Sequence, residues 1–122
     1  MQVSGIDHIN ISTAKLAETR AFFIDVLGFE EGWRPDFPVA GSWLYVNGAA
    51  MVHLVEVAEP PQPSRGSALD HFAFAIDDFE DTLRRIEARG LSHRASPVPG
   101  TTIRQIFITD PNGATIELNC RN

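Results

Sequence analysis

Four side chains able to bind a metal ion stand at matched places along this sequence: His8, His53, His71 and Glu117. Imidazole nitrogen and carboxylate oxygen together suit borderline first-row divalent cations. Two histidines and one carboxylate leave coordination positions open to a substrate, as catalytic rather than structural sites do. Repetition makes the set more than scattered donors. Asp7-His8-Ile9-Asn10-Ile11 is echoed by Asp70-His71-Phe72-Ala73-Phe74. Asn47-Gly48-Ala49-Ala50-Met51-Val52-His53-Leu54 is echoed, one residue shorter, by Asn112-Gly113-Ala114-Thr115-Ile116-Glu117-Leu118. Each copy opens with a histidine on a strand-like run and closes with a second donor on another. Of the four histidines, three fall at repeat-equivalent positions, and the remaining equivalent position holds Glu117. His93 has no counterpart and is given no ligand role.

The elements that must position these donors follow the same repeat. Residues 6–12 alternate apolar Ile6, Ile9 and Ile11 with polar neighbours, the pattern of a strand with His8, Asn10 and Ser12 on one face. Ser12 or Thr13 is expected to cap a helix over about 15–27, with Leu16, Phe23, Val26 and Leu27 at helical spacing and Gly28 as its stop. Residues 29–33, 42–46 and 50–57 read as strands, the last two joined at Asn47-Gly48. The first module is therefore βαβββ. The pattern restarts with a strand over 69–76. A helix capped by Asp77 or Asp78 and closed by Gly90 follows, then strands over 92–95, 103–109 and 115–119, the last two joined by the turn Asp110-Pro111-Asn112-Gly113. Residues 58–68, with Pro60, Pro61, Pro63 and Gly66, read as the connection. The expected fold is α+β: two βαβββ modules, 1–57 and 69–122, forming a cupped mixed sheet with helices outside, together one domain over 1–122.

Composition narrows the partners. A chain of 122 residues with 43% hydrophobic content can bury one core but is short for two independent domains. Net charge is −6, with one lysine (Lys15) and nine arginines, so the basic footprint of a nucleic-acid binder is missing. No apolar run approaches the length of a membrane span, and the first residues lack a basic-then-apolar leader. A small-molecule substrate, no nucleic acid, no membrane and a soluble, cytoplasmic protein are expected. Cys120 is the only cysteine, so no internal disulfide forms.

At these residues the chain resembles the vicinal oxygen chelate superfamily, which includes glyoxalase I, methylmalonyl-CoA epimerase, fosfomycin-modifying thiol transferases and extradiol dioxygenases. The resemblance spans nearly the whole chain. It is carried by Ile6-Asp7-His8-Ile9, by Phe22-Phe23-Ile24-Asp25-Val26-Leu27-Gly28-Phe29, by Leu69-Asp70-His71-Phe72-Ala73-Phe74, and above all by Phe107-Ile108-Thr109-Asp110-Pro111-Asn112-Gly113 with Ile116-Glu117-Leu118. It implies paired modules around one divalent ion per site (Ni, Zn, Fe, Mn or Co), His8, His71 and Glu117 as ligands, and a homodimer whose chains share sites.

His53 departs from the relatives, whose equivalent position is usually Glu in glyoxalase-like lyases and Gln or Glu in the epimerases. A three-histidine, one-glutamate site is one reading, and a His53 satisfied without touching metal is the other. The activity the resemblance implies is a glyoxalase I-like lyase or isomerase acting on a substrate that chelates the metal through vicinal oxygens. Glu117 is then the catalytic carboxylate, either leaving the metal to act as base or yielding that task. Extradiol-type Fe(II) dioxygenase chemistry, thiol transfer to an epoxide antibiotic, and non-catalytic drug binding are the alternatives. Trp33, Phe37, Trp43 and Tyr45 are expected near the cup, with at least half of them filling the core. Asn10, Trp33, Trp43, Arg104 and Asn119 are the candidate substrate-binding residues, Arg34 and Arg104 being able to meet an anion although solvated positions are their default. Glu30, Glu31 and the set Glu80, Arg84, Arg85 and Glu87 are read as solvated.

Overall fold

The computed structural model describes residues 1–121 and divides the chain into two compact units, Met1–Pro61 and Gln62 onward. The first unit runs β1 (Ile9–Thr13), α1 (Leu16–Asp25), β2 (Glu30–Gly32), β3 (Gly41–Val46) and β4 (Ala49–Glu56). Its four strands form one mixed sheet in the order β1-β4-β3-β2, with β1 parallel to β4 and the other pairs antiparallel. The second unit repeats this with β5 (His71–Ile76), α2 (Phe79–Ala88), β6 (Arg94–Pro97), β7 (Arg104–Thr109) and β8 (Thr115–Cys120). Its order is β5-β8-β7-β6, again with one parallel pair, β5 with β8. The fold is α+β with two βαβββ modules, each closing its own four-stranded sheet.

Alternation of side chains gives each sheet one helix-covered face. In the first module Ile11, Leu44, Val52 and Leu54 are buried with Phe22 and Phe23 of α1. In the second, Ile106, Ile108, Ile116 and Leu118 are buried with Ile86 of α2. Burying one such side chain completely is worth roughly 1.5–3 kcal/mol relative to leaving it in water, so these rows fix which face of each sheet turns inward.

Several local expectations change. The first helix starts at Leu16 with Lys15 at its N-cap position and no side-chain cap there; the Thr13 hydroxyl instead accepts the Lys15 N–H at 2.9 Å and meets Thr19 Oγ1 at 3.0 Å. In α2 the expectation holds, since Asp78 accepts the Asp81 N–H. The short strand placed at 92–95 lies at Arg94–Pro97, paired with β7. None of the four clustered aromatics fills a core. Trp33 and Phe37 are exposed, and Trp43 and Tyr45 half-buried, because Trp43 stands on the face the helix leaves open. Nor is Glu31 merely solvated: it accepts a hydrogen bond from Ser42 Oγ at 2.6 Å and lies 3.0 Å from Arg20 Nε, tying α1 to the sheet. Glu80 likewise pairs with Arg104 at 2.9 Å, and Asp81 pairs with Arg84 and Arg85.

The connecting segment is more than a tether. Ser64 donates its N–H to Gly113 O and its hydroxyl to Asp70 O, and its Oγ accepts the Thr115 N–H at 2.8 Å. Its second half is therefore a strap laid on the β7–β8 turn. That turn is closed by Asp110, whose buried carboxylate accepts N–H bonds from Asn112 and Ala114.

Candidate metal and substrate site

Strand register shows that the repeat is exact where it matters. In the first module Asn10 pairs with His53, which pairs on its other side with Trp43. In the second Ala73 pairs with Glu117, which pairs with Phe107. Asn10 and Ala73 each stand two residues beyond the module's opening histidine, so His8 shares a face with His53, and His71 with Glu117. That face is the one turned away from the helix. Among the described residues no group of three or more His, Cys, Asp or Glu side chains converges on one point; each module brings together two donors.

Both opening histidines are oriented by the preceding aspartate. His8 Nδ1 lies 2.7 Å from Asp7 Oδ1, and His71 Nδ1 lies 2.8 Å from Asp70 Oδ2. A carboxylate accepts only, so Nδ1 carries the hydrogen, and in the neutral ring each Nε2 then presents a lone pair, the tautomer a metal requires. The repeated Asp-His pair was visible in the sequence, yet the contact within it shows only in this geometry. Asp70 is also held by Gly66 N–H at 2.7 Å. That backbone bond first, and the His71 bond next, hold its carboxyl below the ordinary 3.8.

The second donors differ. Glu117 Oε1 lies 3.5 Å from His71 Nε2, with the carboxylate largely buried. A lone pair and a carboxylate oxygen facing each other at that distance are bridged favourably only by a proton or a cation. The donor set therefore fits a divalent ion at this edge. His53 is placed otherwise: its ring is stacked between Trp43, 4.0 Å away, and His8, 3.8 Å away, with both pairs nearly parallel. Its Nε2 lies 3.0 Å from the Ala50 carbonyl, so Nε2 carries the hydrogen and only Nδ1 keeps a lone pair. Burial first and the neighbouring His8 next depress its pKa below 6.5.

Of the candidate substrate residues, Asn10 and Trp43 line an open cleft with His53 and Arg34. Trp33 stands outside it, edge-on to Trp43 at 5.8 Å. Asn119 lies two residues from Glu117 on the same face, its buried Oδ1 without a hydrogen-bond partner. Arg104 is on the wrong face: it alternates with Gln105 and Phe107, pairs with Glu80 of α2 and lies over the Phe79 ring at 4.2 Å. Its contacts there are with the helix. Phe107 and Arg94, stacked at 4.4 Å, take part in the open face of the second module and went unremarked as site residues in the sequence.

Comparison with known proteins agrees with this framework. The family description "Glyoxalase/Bleomycin resistance protein/Dioxygenase superfamily" matches residues 5–118. The chain belongs to this superfamily. Among similar proteins, YaeR of Escherichia coli (strain K12) is 32% identical over 120 residues, covering 93% of each chain. The lactoylglutathione lyase of Haemophilus influenzae is 28% identical over 118 residues, 90% of this chain and 87% of that one. A fosfomycin resistance protein, FosX, from Listeria monocytogenes, complexed with Mn(II) and 1S,2S-dihydroxypropylphosphonic acid, superposes with a TM-score of 0.80 at 20% identity, covering 99% of this chain and 95% of that one. No helix of the described residues is long and apolar enough to cross a membrane.

Proposed function

We propose that this member of the glyoxalase superfamily is a divalent-metal-dependent lyase or isomerase acting on a small substrate that offers two adjacent oxygens. The observation that carries the reading is the 3.5 Å approach of His71 Nε2, its tautomer fixed by Asp70, to the Glu117 carboxylate. His8, whose Nε2 is freed in the same way by Asp7, is the third ligand, and His53 is a fourth and weaker one. A bound ion would supply Lewis acidity toward the substrate oxygens. Asp7 and Asp70 are committed to imidazole hydrogens, so Glu117 is the carboxylate left to take a proton from one substrate carbon and return it to the next. Asn10, Trp43 and Asn119 hold and orient the substrate. Because two modules per chain suggest sites built by pairing, we also assign the working form to a homodimer, and a strict monomer with full metal content would contradict shared sites.

The test is removal of metal with EDTA followed by elemental analysis of natively purified and reconstituted protein. Nickel or zinc at one ion per site, with lyase activity lost on chelation and restored on readdition, is the expected result; activity that survives complete removal overturns the reading. One observation favours a second reading, oxygen chemistry at iron(II). His53 spends its Nε2–H on Ala50, which leaves the two-histidine, one-carboxylate set of His8, His71 and Glu117. Iron in the native protein would select it.

A further inference from the structure

We propose that the open face of the first module carries an anion-receiving subsite centred on Arg34, so that the substrate bears a carboxylate or phosphonate besides its two adjacent oxygens. The substrate assignment rests on the metal-site reading above, but the subsite itself is carried by separate observations. Gly41, at the start of β3, leaves no room for a side chain: a Cβ there would run into the Leu54 carbonyl oxygen and would stand 2.6 Å from Arg34 Nη2 and 2.9 Å from Arg34 Cζ. Gly41 shares a face with Trp43, and its register partner Val55 shares a face with His53. The Arg34 charge therefore lies on the open face, one side-chain repeat or roughly 7 Å along the strands from the Trp43–His53 stack. That spacing suits a molecule of a few carbons with an anionic group at one end and its reacting oxygens at the other.

The guanidinium is held but not satisfied. Nη2–H donates to Val39 O at 3.0 Å, and the Phe37 ring lies 4.9 Å from Cζ. Nε is buried without a hydrogen-bond partner. A guanidinium whose own contacts leave donors unmatched, and which lines the cleft, is favourable to pair there with a carboxylate or phosphonate, whose two oxygens fit the arginine fork. The cleft there, about 290 Å³, is lined by Asn10, Phe37, Trp43, His53 and Val55 among others, and no lining residue is acidic. Its walls are aromatic and aliphatic, so the ligand combines an apolar body with an anionic head.

The experiment titrates metal-free, EDTA-treated full-length protein with benzoate, phenylphosphonate and the neutral benzamide, following tryptophan fluorescence. The wild type is expected to bind at least one anion about tenfold tighter than benzamide, the weight of a charge-assisted hydrogen-bond pair. The preferred anion identifies the headgroup as carboxylate or phosphonate. Arg34→Gln removes the preference while leaving benzamide binding unchanged, Arg34→Lys keeps part of it, and Arg104→Gln keeps all of it. Benzamide binding as tightly as both anions in the wild type, or no saturable anion binding, overturns the proposal without any variant having to fold. A preference that survives in Arg34→Gln also overturns it. Metal uptake measured on the same preparation separates the two claims. Uptake without anion preference refutes the subsite alone, and anion preference without uptake supports the subsite while refuting the metalloenzyme.

Discussion

His53 and Glu117 occupy one place in two copies of a framework, and they meet opposite fates. Each lies across from the residue two beyond its module's opening histidine, and each has an aromatic ring opposite it on the next strand. In the second module the aromatic, Phe107, sits edge-on to His71 at 6.0 Å and is covered by Arg94, so Glu117 is free to face the histidine. In the first module Trp43 lies flat on His53 and His53 flat on His8, and the ring hydrogen is spent on a backbone carbonyl. The backbone repeats faithfully; the chemistry does not. A duplicated scaffold therefore yields one half in which a histidine and a carboxylate face each other and one half that presents an aromatic wall beside an arginine.

The strongest way to break that comparison is to remove a donor from each half. His71→Ala is expected to lower metal affinity by more than about a hundredfold, beyond the 10–100-fold typical of losing a ligand's hydrogen-bond partner. His53→Ala should weaken binding without abolishing it. Calorimetric titration with Zn²⁺ or Mn²⁺ reads both, and equal losses would show that the two positions are chemically equivalent after all. A subtler cut compares the orienting aspartates. Asp70→Asn should cost about tenfold in metal affinity and Asp7→Asn clearly less. Asp70 is fixed by Gly66 as well as by His71, whereas the Asp7 side chain is 92% exposed. The reverse order would mean that rigidity of the aspartate is irrelevant to its histidine.

How far the sequence foretold this depends on the kind of signal each residue left. The repeat of Asp-His and of Asn-Gly was enough to place both modules and to pair His53 with Glu117, because register follows a turn and a period of two. What the repeat could not convey was which way a ring lies. The stack of Trp43, His53 and His8 depends on cross-strand neighbours that are 10 and 45 residues apart, and single-sequence pattern carries no such contact. Arg104 was misplaced for a simpler reason. A one-residue shift along a strand moves a side chain to the other face, and the first residue of β7 had to be known before Arg104 could be assigned to the helix side. Arg34 looked like an ordinary surface arginine, since only the space above Gly41 shows where its head lies. Ser64, in a segment whose prolines marked it as a connection, gave no hint of the hydrogen bonds that tie it to Gly113, Asp70 and Thr115.

Those bonds supply the next test of the asymmetry, now in stability. Ser64→Ala removes the partner of the Thr115 N–H and the donor to Asp70 O, both at the start of the strands that carry Glu117 and His71. The expected loss is about 1–2 kcal/mol in urea unfolding, the usual cost of leaving part-buried backbone groups unmatched. A strap confined to the second module should also transmit that loss to metal affinity through Asp70, leaving benzoate binding at the first module unchanged. Equal weakening of both ligands would point to general loosening and erase the distinction between the halves.

The smallest expected effect lies in the pH dependence of the metal-free protein. Burial in the stack, and His8 beside it, hold the His53 pKa below 6.5, so the folded state binds this proton less readily than the unfolded chain. As pH falls through 6.5 the unfolded state protonates first, and stability declines until pH passes below the folded-state value, where the loss is complete. Above 6.5 the contribution is fully present. Because the ring is only part-buried, screening keeps the effect small, no more than about 2 °C in Tm between pH 7.5 and 5.5. His53→Gln removes the titrating group and should flatten that part of the profile relative to wild type, whereas His93→Gln, at an exposed ring bonded only to its local backbone, should not. A wild-type profile already flat over this range would mean that the stack tolerates an imidazolium, and that burial between Trp43 and His8 does not set the ring's charge.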